Sequence, residues 1–361
     1  MKLAQFAQSV QTIGKTNTIL AQGEPGIGKS SILKVLRKQM PEYEVAYIDC
    51  AQLDLGDFAL PYTENTEAGM KVTHFAPSAR FKAHTGKPVV VMLDELGKAQ
   101  RPVQNVLLTL MLEHRIGDVS LPENSIVFAT TNLASDGVGD RIEAHARNRM
   151  VVIKIDKPTK DEWCEWGLFA GIDPIVLSFV EAFPQVLASY TNLAEKDVNP
   201  YIFDPRKQQV AFVTPRSLEA ASNIVKQRDA LGTETVYELL VGAVGASAAA
   251  DMVTYITMGD QMPSWDSIIS NPEKAPVPDN SVTRVMTANQ AVQIFATDGE
   301  ESKKTHEMNQ WVKYMQRLDL EIQAMFALSL GKNPSVVAKK WVGGNKDFLA
   351  VLVKNKWVLE K

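Results

Sequence analysis

A glycine-rich run near the start of the chain has the residue types and spacing of a phosphate-binding loop. It reads Gly-x-x-x-x-Gly-Lys-Ser from Gly23 to Ser30, after a short apolar run and before an amphipathic helical pattern. Glycines let backbone N–H groups converge on phosphate oxygens, and a helix N-terminus adds a favourable field for an anion. Lys29 is expected to reach the β- and γ-phosphates, and the Ser30 hydroxyl to bind Mg²⁺. The residues expected to contact ATP or ADP are Gly23, Glu24, Pro25, Gly26, Ile27, Gly28, Lys29, Ser30 and Ser31.

Polar residues follow two later apolar runs at the points where strands would end. Asp94 and Glu95 follow a run of valines, and Asn132 follows Phe-Ala-Thr-Thr. Asp94 is expected to contact the nucleotide and, with Ser30, to bind the Mg²⁺. Glu95 is expected to orient or deprotonate the attacking water, and Asn132 to position it. Each also fits an ordinary solvated turn, so the assignment depends on the phosphate loop upstream.

Four arginines are candidates for contacting the γ-phosphate. Arg141, Arg147 and Arg149 precede the last β-rich run, and any of them could stabilise transition-state charge, with Arg149 favoured. A solvated face or local ion pairs would also explain them. Arg216 follows Thr-Pro, which places its cation in the first turn of a helix, against the helix dipole. That mismatch favours a nearby anion, either a nucleotide phosphate or Glu219.

The order of apolar patterns predicts which elements position these side chains. Five β-rich runs alternate with helical patterns, which predicts an α/β fold with a parallel five-stranded sheet in an αβα sandwich. Capping signals and a period near 3.6 predict helices after Asp156. The predicted β runs are Thr18–Ala21, Val45–Asp49, Val89–Leu93, Ile126–Thr130 and Val151–Ile155. The predicted domains are a nucleotide-binding domain over 1–156, an all-α lid over 157–262, a Pro-rich linker over 263–280 and a C-terminal helical region over 281–361.

Composition limits the classes of function. A formal charge of −4 with a pI near 5.8, and the lack of a long basic run, make a dedicated nucleic-acid binder unlikely without excluding one. Two distant cysteines and five scattered histidines do not predict a disulfide framework or a structural metal. With no stretch of signal-peptide or membrane-spanning type, a cytoplasmic protein is expected.

Taken in order, these motifs resemble those of the AAA+ ATPases, and more closely the MoxR-like, dynein-related branch. The resemblance implies a P-loop NTPase fold and a ring, usually a hexamer, that hydrolyses ATP at subunit interfaces. It implies a trans-acting finger at Arg149, a sensor-1 role for Asn132 and a sensor-2 role for Arg216. It also implies a protein client, often with a von Willebrand factor A-like partner. The segments that carry it are Leu93–Gln100, the helix Val103–Glu113, the hairpin pieces Arg115–Gly117 and Leu121–Asn124, Asn148–Met150 and Thr214–Arg216.

Three functions follow from this pattern. The first is an ATP-driven remodeller or assembly chaperone for proteins. The second is a nucleic-acid motor or loader, which would need Lys or Arg in the segment Asp54–Pro77, where Lys71 is the only residue of either type. The third is a nucleotide-dependent assembly switch. The presence of Glu95 argues against this function, because a protein that only switches with nucleotide binding could lose its catalytic glutamate. Phe58, Tyr62 and Phe75 in the same segment are expected either to grip a polypeptide in a pore or to pack onto their own domain.

Overall fold

The computed structural model describes residues 1–133, 142, 147–194, 197–297, 299–332 and 345–354. Contacts between residues divide the chain into two units. The first comprises Met1–Lys157 and Pro205–Lys207, and the second comprises Pro158–Asp204 and Gln208–Lys361. None of the helices in these described ranges is long and apolar enough to cross a membrane.

The first unit is built on a parallel β-sheet, as the alternating pattern predicts. The five long apolar runs all become strands, and each boundary lies within one residue of its prediction. Their spatial order is β2-β5-β8-β1-β9, with every neighbouring pair parallel. In chain order the described helices and strands are α1 (Leu3–Ile13), β1 (Ile19–Gln22), α2 (Ile32–Gln39), β2 (Glu44–Asp49), β3 (Ala59–Asn65), β4 (Lys71–Pro77), β5 (Val89–Asp94), α3 (Arg101–Glu113), β6 (Arg115–Ile116), β7 (Val119–Ser120), β8 (Ile126–Thr131) and β9 (Val151–Lys154).

Both faces of the central strands are buried, which explains why their sequences are apolar without alternation. Side chains from one face, such as Val90 and Phe128, pack with α1 and α2. Side chains from the other face, such as Val91 and Val127, pack with α3. The helix α1 was not predicted; its Phe6 meets Phe128 edge to face, with ring centroids 5.8 Å apart. The sheet is therefore the middle layer of a sandwich, and its carboxyl edge is fixed from both sides.

Two small hairpins extend the first unit. The segment Asp54–Pro77, for which the sequence analysis predicts no strand, contains the antiparallel pair β3–β4. Its Phe58 is 3% exposed and stacks on Phe81, so this ring packs onto its own domain. Tyr62 and Phe75 remain 49% and 43% exposed. The short hairpin expected after the third helix is present as β6–β7.

The second unit is helical in its described ranges, as predicted. Its core runs from Trp163 to Phe348 as one continuous apolar cluster, and α5 has six consecutive buried residues within it. The helices are α4 (Lys160–Ala170), α5 (Pro174–Ala182), α6 (Pro215–Lys226), α7 (Arg228–Leu231), α8 (Thr233–Val244), α9 (Ala246–Gly259), α10 (Trp265–Ser270), α11 (Ser281–Ala296), α12 (Glu301–Met315), α13 (Leu320–Lys332) and α14 (Lys346–Lys354).

A chain of aromatic contacts joins the C-terminal helices of this unit. Trp265 in α10 lies 5.7 Å from Trp311 in α12, and Trp311 lies 5.3 Å from Phe326 in α13, measured between ring centroids. Phe326 in turn meets Phe348 in α14 at 5.9 Å. The Pro-rich segment 263–280 thus contributes α10 to this core. The division of the helical part into lid, linker and C-terminal region stays a prediction.

This aromatic chain generates a stability prediction. Trp311 is fully buried, so Trp311→Ala should leave a large cavity and destabilise the second unit by about 3–5 kcal/mol. Trp166 is 48% exposed, and Trp166→Ala should cost about 1 kcal/mol or less. Denaturant unfolding of both variants measures the difference. Equal losses in the free energy of unfolding of the two variants would show that Trp311 does not hold the helices together.

Candidate functional site

The glycine-rich loop adopts a conformation that its glycines make possible. Gly26 and Gly28 have φ values of +71° and +96°, in the region that side chains with a Cβ disfavour. A Cβ on Gly23 would lie 2.6 Å from Ile27 Cδ1 and 3.0 Å from Ile155 O, so a larger residue there would force the Ile27 side chain and the Ile155 carbonyl to shift. The loop leads into a single 3₁₀ turn, Lys29–Ser31, which continues as α2. Backbone N–H groups at this start of a helix are well placed to meet an anion.

Lys29 lies over the loop and joins it to the neighbouring strand end. Its Nζ donates hydrogen bonds to Gly23 O at 2.7 Å, to Glu24 O at 2.8 Å and to Asn132 Oδ1 at 2.9 Å. Asn132 follows β8 directly, and β8 pairs with β1, so the sheet register brings the amide to the loop. The two predicted site residues, 103 positions apart in sequence, therefore meet.

Asp94 is the last residue of β5, and its carboxylate is 5% exposed. The Ser30 hydroxyl donates to its Oδ2 at 2.6 Å, and the Tyr47 hydroxyl donates to the same oxygen at 2.9 Å. The Thr130 hydroxyl donates to the other oxygen, Oδ1. A buried carboxylate needs such partners, and each hydrogen bond to a charged group contributes about 1.5–3 kcal/mol. Three hydroxyls from three elements thus orient one carboxylate.

Tyr47 is half exposed, and its phenol is a hydrogen-bond donor to Asp94. Burial, with a further contribution from the Asp94 carboxylate, raises the pKa of the Tyr47 phenol above its ordinary value. The phenol therefore keeps its proton at neutral pH and can hydrogen-bond Asp94 only as a donor. Burial, with the nearby Asp94 charge, also raises the pKa of the Cys50 thiol, which stays protonated. This thiol is therefore not set up as a nucleophile or a metal ligand.

Glu95 lies just beyond the end of the strand, in a left-handed conformation with φ of 55°. This backbone costs a residue with a Cβ about 1–2 kcal/mol, and such departures cluster at functional sites. Its carboxylate accepts an ion pair from Lys98 Nζ at 2.7 Å. Both side chains are about one third exposed, so the pair is worth about 1 kcal/mol or less and can be exchanged for a substrate water.

Two of the arginines predicted to act on the γ-phosphate, Arg147 and Arg149, form no hydrogen bond or ion pair with the described residues of this site. Arg147 and Arg149 are exposed just before β9, and Arg141 lies outside the described residues. Arg216 is exposed in the first turn of α6, in the second unit. Glu219, its alternative partner, forms no salt bridge with it within the described ranges. The roles of these arginines stay predictions.

Three residues at the site were missed by sequence reasoning: Tyr47, Lys98 and Thr130. Tyr47 and Thr130 each introduce a hydroxyl near the carboxyl end of a strand whose central residues are mainly apolar. That signal was present in the sequence, but only the spatial order of strands shows that both hydroxyls face Asp94. Lys98 is separated from Glu95 by one turn, and the turn that brings them together was not predicted.

The arrangement at Ser30 and Asp94 suits a small hard cation. A hydroxyl oxygen and a carboxylate oxygen lie 2.6 Å apart at the loop's helical end. Mg²⁺ in phosphate-transfer sites is held by a few such oxygen ligands, together with substrate phosphates and water. The residues therefore fit the magnesium that the phosphate-loop motif predicts, with Ser30 and Asp94 as its protein ligands.

Comparisons with known proteins find one family match and several similar solved structures. Residues 19–155 match the family described as ATPase family associated with various cellular activities (AAA). No curated protein matches the chain. Similar solved structures include a RuvB mutant from Thermotoga maritima, at 12% identity over 76% of this chain and 74% of that chain, with a TM-score of 0.36. Another is NtrX from Brucella abortus in complex with ADP, at 13% identity over 98% and 68% of the two chains, with a TM-score of 0.38. The family match covers residues 19–155, the part of the chain that holds the loop and the strand ends described above, and this part of the chain is therefore similar to the AAA family.

Proposed function

We propose that this chain binds ATP with Mg²⁺ at the loop Gly23–Ser30 and hydrolyses it, and that it uses the turnover to remodel or assemble protein partners. The observation that carries the ATPase proposal is the convergence of Lys29, Ser30, Asp94 and Asn132 at one edge of the sheet. These residues come from the loop and from two strands. Their meeting supports one functional site better than it supports four unrelated turns.

The proposed chemistry assigns one task to each group of this chain. When ATP binds, the Lys29 ammonium group replaces its hydrogen bond to a loop carbonyl or to Asn132 with one to a phosphate oxygen. The ammonium group therefore keeps a hydrogen-bond partner throughout. Ser30 and Asp94 hold the Mg²⁺, which when bound neutralises charge on the phosphate oxygens. Glu95 gives up its ion pair with Lys98 and accepts the proton of the attacking water. Asn132 holds that water in line with the phosphate bond that breaks. Tyr47 and Thr130 keep the Asp94 carboxylate in position.

A ring of identical chains, with a hexamer favoured, is the proposed assembly. Arg147 and Arg149 are exposed, which is what a residue needs if it serves the site of a neighbouring subunit. Arg149 is the favoured finger, and Arg216 is the proposed sensor in the helical part. The partner is proposed to be a protein, and the MoxR-like resemblance favours one with a von Willebrand factor A-like domain.

The phosphate-loop assignment predicts the effect of Lys29→Ala. Losing the ammonium group should weaken ATP binding by at least about tenfold, because a charge-assisted bond to phosphate is lost. Lys34→Ala, an exposed lysine in α2, is the matched control and should bind ATP normally. Calorimetric titration with ATP measures both. Normal affinity in a folded Lys29→Ala variant would refute the assignment.

The role of Glu95 predicts a variant that binds but does not turn over. Glu95→Gln should retain ATP affinity and lose hydrolysis by about 10²-fold or more, because the base is gone while the phosphate contacts remain. Phosphate release assays and ATP titration separate the two effects. Glu123→Gln, an exposed glutamate after β7, serves as control. Unchanged turnover in Glu95→Gln would remove Glu95 from the mechanism.

The same variant tests whether an arginine acts on a neighbouring site. Arg149→Ala subunits should be inactive alone, and so should Glu95→Gln subunits. In mixed rings, an intact Glu95 can face an intact Arg149 from the next subunit, so some activity should return. Mixtures that form mixed rings but regain no activity would contradict a trans-acting Arg149.

A further inference from the structure

A cavity in the second unit has features of a binding site that the nucleotide chemistry does not use. It has a volume of about 260 Å³ and lies among α4, α5, α11 and α13. Its apolar walls come from Leu168, Phe169, Leu177 and Met325. Polar groups also line it, and they are Asp161, Cys164, Glu165, Glu181, Asn289 and Ser329. Concave sites with apolar walls and a few convergent polar groups are the usual form of a small-ligand pocket.

Asn289 is the first observation that points to a ligand. The residue is 5% exposed, yet its amide lines the cavity and makes no hydrogen bond with any part of the chain that the structure describes. Its amide nitrogen and oxygen each keep some accessible surface, so they face the open space of the cavity and not a sealed interior. An amide carbonyl and an NH₂ group are therefore available to whatever enters the cavity.

Glu181 is the second observation. Its carboxylate lines the cavity without a hydrogen bond or ion pair in the described ranges. Glu181 is an exposed residue, and the pKa of its carboxyl is raised chiefly by partial desolvation, while the charge of Lys160 opposes the shift. Lys160 itself is paired with Asp161, with Nζ 3.0 Å from Oδ1. Glu181 also stands in the last turn of α5, where the helix dipole disfavours a negative charge. A cation at this point would relieve the penalty from the dipole.

The cavity offers acceptors that match one kind of cation. An ammonium group has three donors and no acceptor. Glu181, Asn289 Oδ1 and the Ser329 hydroxyl supply three acceptors, and the apolar walls suit an alkyl chain. A guanidinium can also pair with the Glu181 carboxylate, but its five donors outnumber the three acceptor groups named here. The Cys164 thiol adds no charge, because burial raises its pKa to about 12.

We propose that this cavity binds a primary alkylammonium group, with Glu181 as the ion-pair partner and Asn289 and Ser329 as hydrogen-bond partners. The same chemistry is carried by a free aliphatic diamine and by a lysyl side chain of a protein partner. The proposal does not depend on the ATPase assignment, since every lining residue belongs to the second unit.

Binding of defined probes to the full chain tests the proposal. In calorimetric titrations and thermal shifts, n-butylammonium chloride should bind saturably, and n-butanol, of the same shape without the charge, should not. Butane-1,4-diamine and Nα-acetyl-lysine N-methylamide distinguish the two sources. Tighter binding of the diamine assigns the site to free amines, and tighter binding of the lysine derivative assigns it to a protein partner.

Two variants locate the binding. Glu181→Gln and Asn289→Leu should each weaken n-butylammonium binding, the former by about tenfold or more, because a charge-assisted bond is lost. Glu238→Gln, an exposed glutamate on α8, is the matched control and should leave binding unchanged. Saturable binding that Glu181→Gln does not weaken would overturn the proposal. So would the lack of saturable binding by all three amines up to about 10 mM, the range in which a weak site is still detected.

Discussion

The hydrogen bonding of one buried carboxylate organises the candidate active site. Asp94 accepts hydroxyl hydrogen bonds from Ser30, Tyr47 and Thr130, which belong to the loop, β2 and β8. An ionised carboxylate in an apolar environment is costly unless such partners surround it. The sheet order is what supplies them, since β5 lies between β2 and β8. The fold and the proposed metal site therefore depend on the same contacts.

This dependence also explains how the loop is joined to the rest of the site. Lys29 links the loop carbonyls to Asn132 at the end of β8, while Ser30 links the loop to Asp94 at the end of β5. The loop is thus tied to two strand ends through adjacent residues. A ligand that replaces either bond changes the contacts of the loop and of one strand together, which is a physical route from nucleotide state to domain geometry.

Much of this arrangement could be predicted from the sequence because its signals are local. Gly23 and Gly28 mark a loop that needs small residues and positive φ, and the run before Asp94 marks a strand buried on both faces. Tyr47 could not be assigned to Asp94, because that contact depends on β2 and β5 being neighbours in space. The β3–β4 hairpin was missed because its strands are exposed and lack a buried face. The roles proposed for Arg149 and Arg216 depend on contacts that no local sequence pattern specifies.

The most direct test of this account is a measurement of metal binding in the presence of ATP. Mn²⁺ can replace Mg²⁺, and electron paramagnetic resonance distinguishes free from protein-bound Mn²⁺. The account predicts that the Asp94→Asn variant still binds ATP, and that its affinity for Mn²⁺ falls by about tenfold or more. Tyr47→Phe should show a smaller loss, of about two- to tenfold, because one supporting hydrogen bond is removed. Unchanged Mn²⁺ affinity in a folded Asp94→Asn variant would contradict the central claim that this carboxylate is the metal ligand.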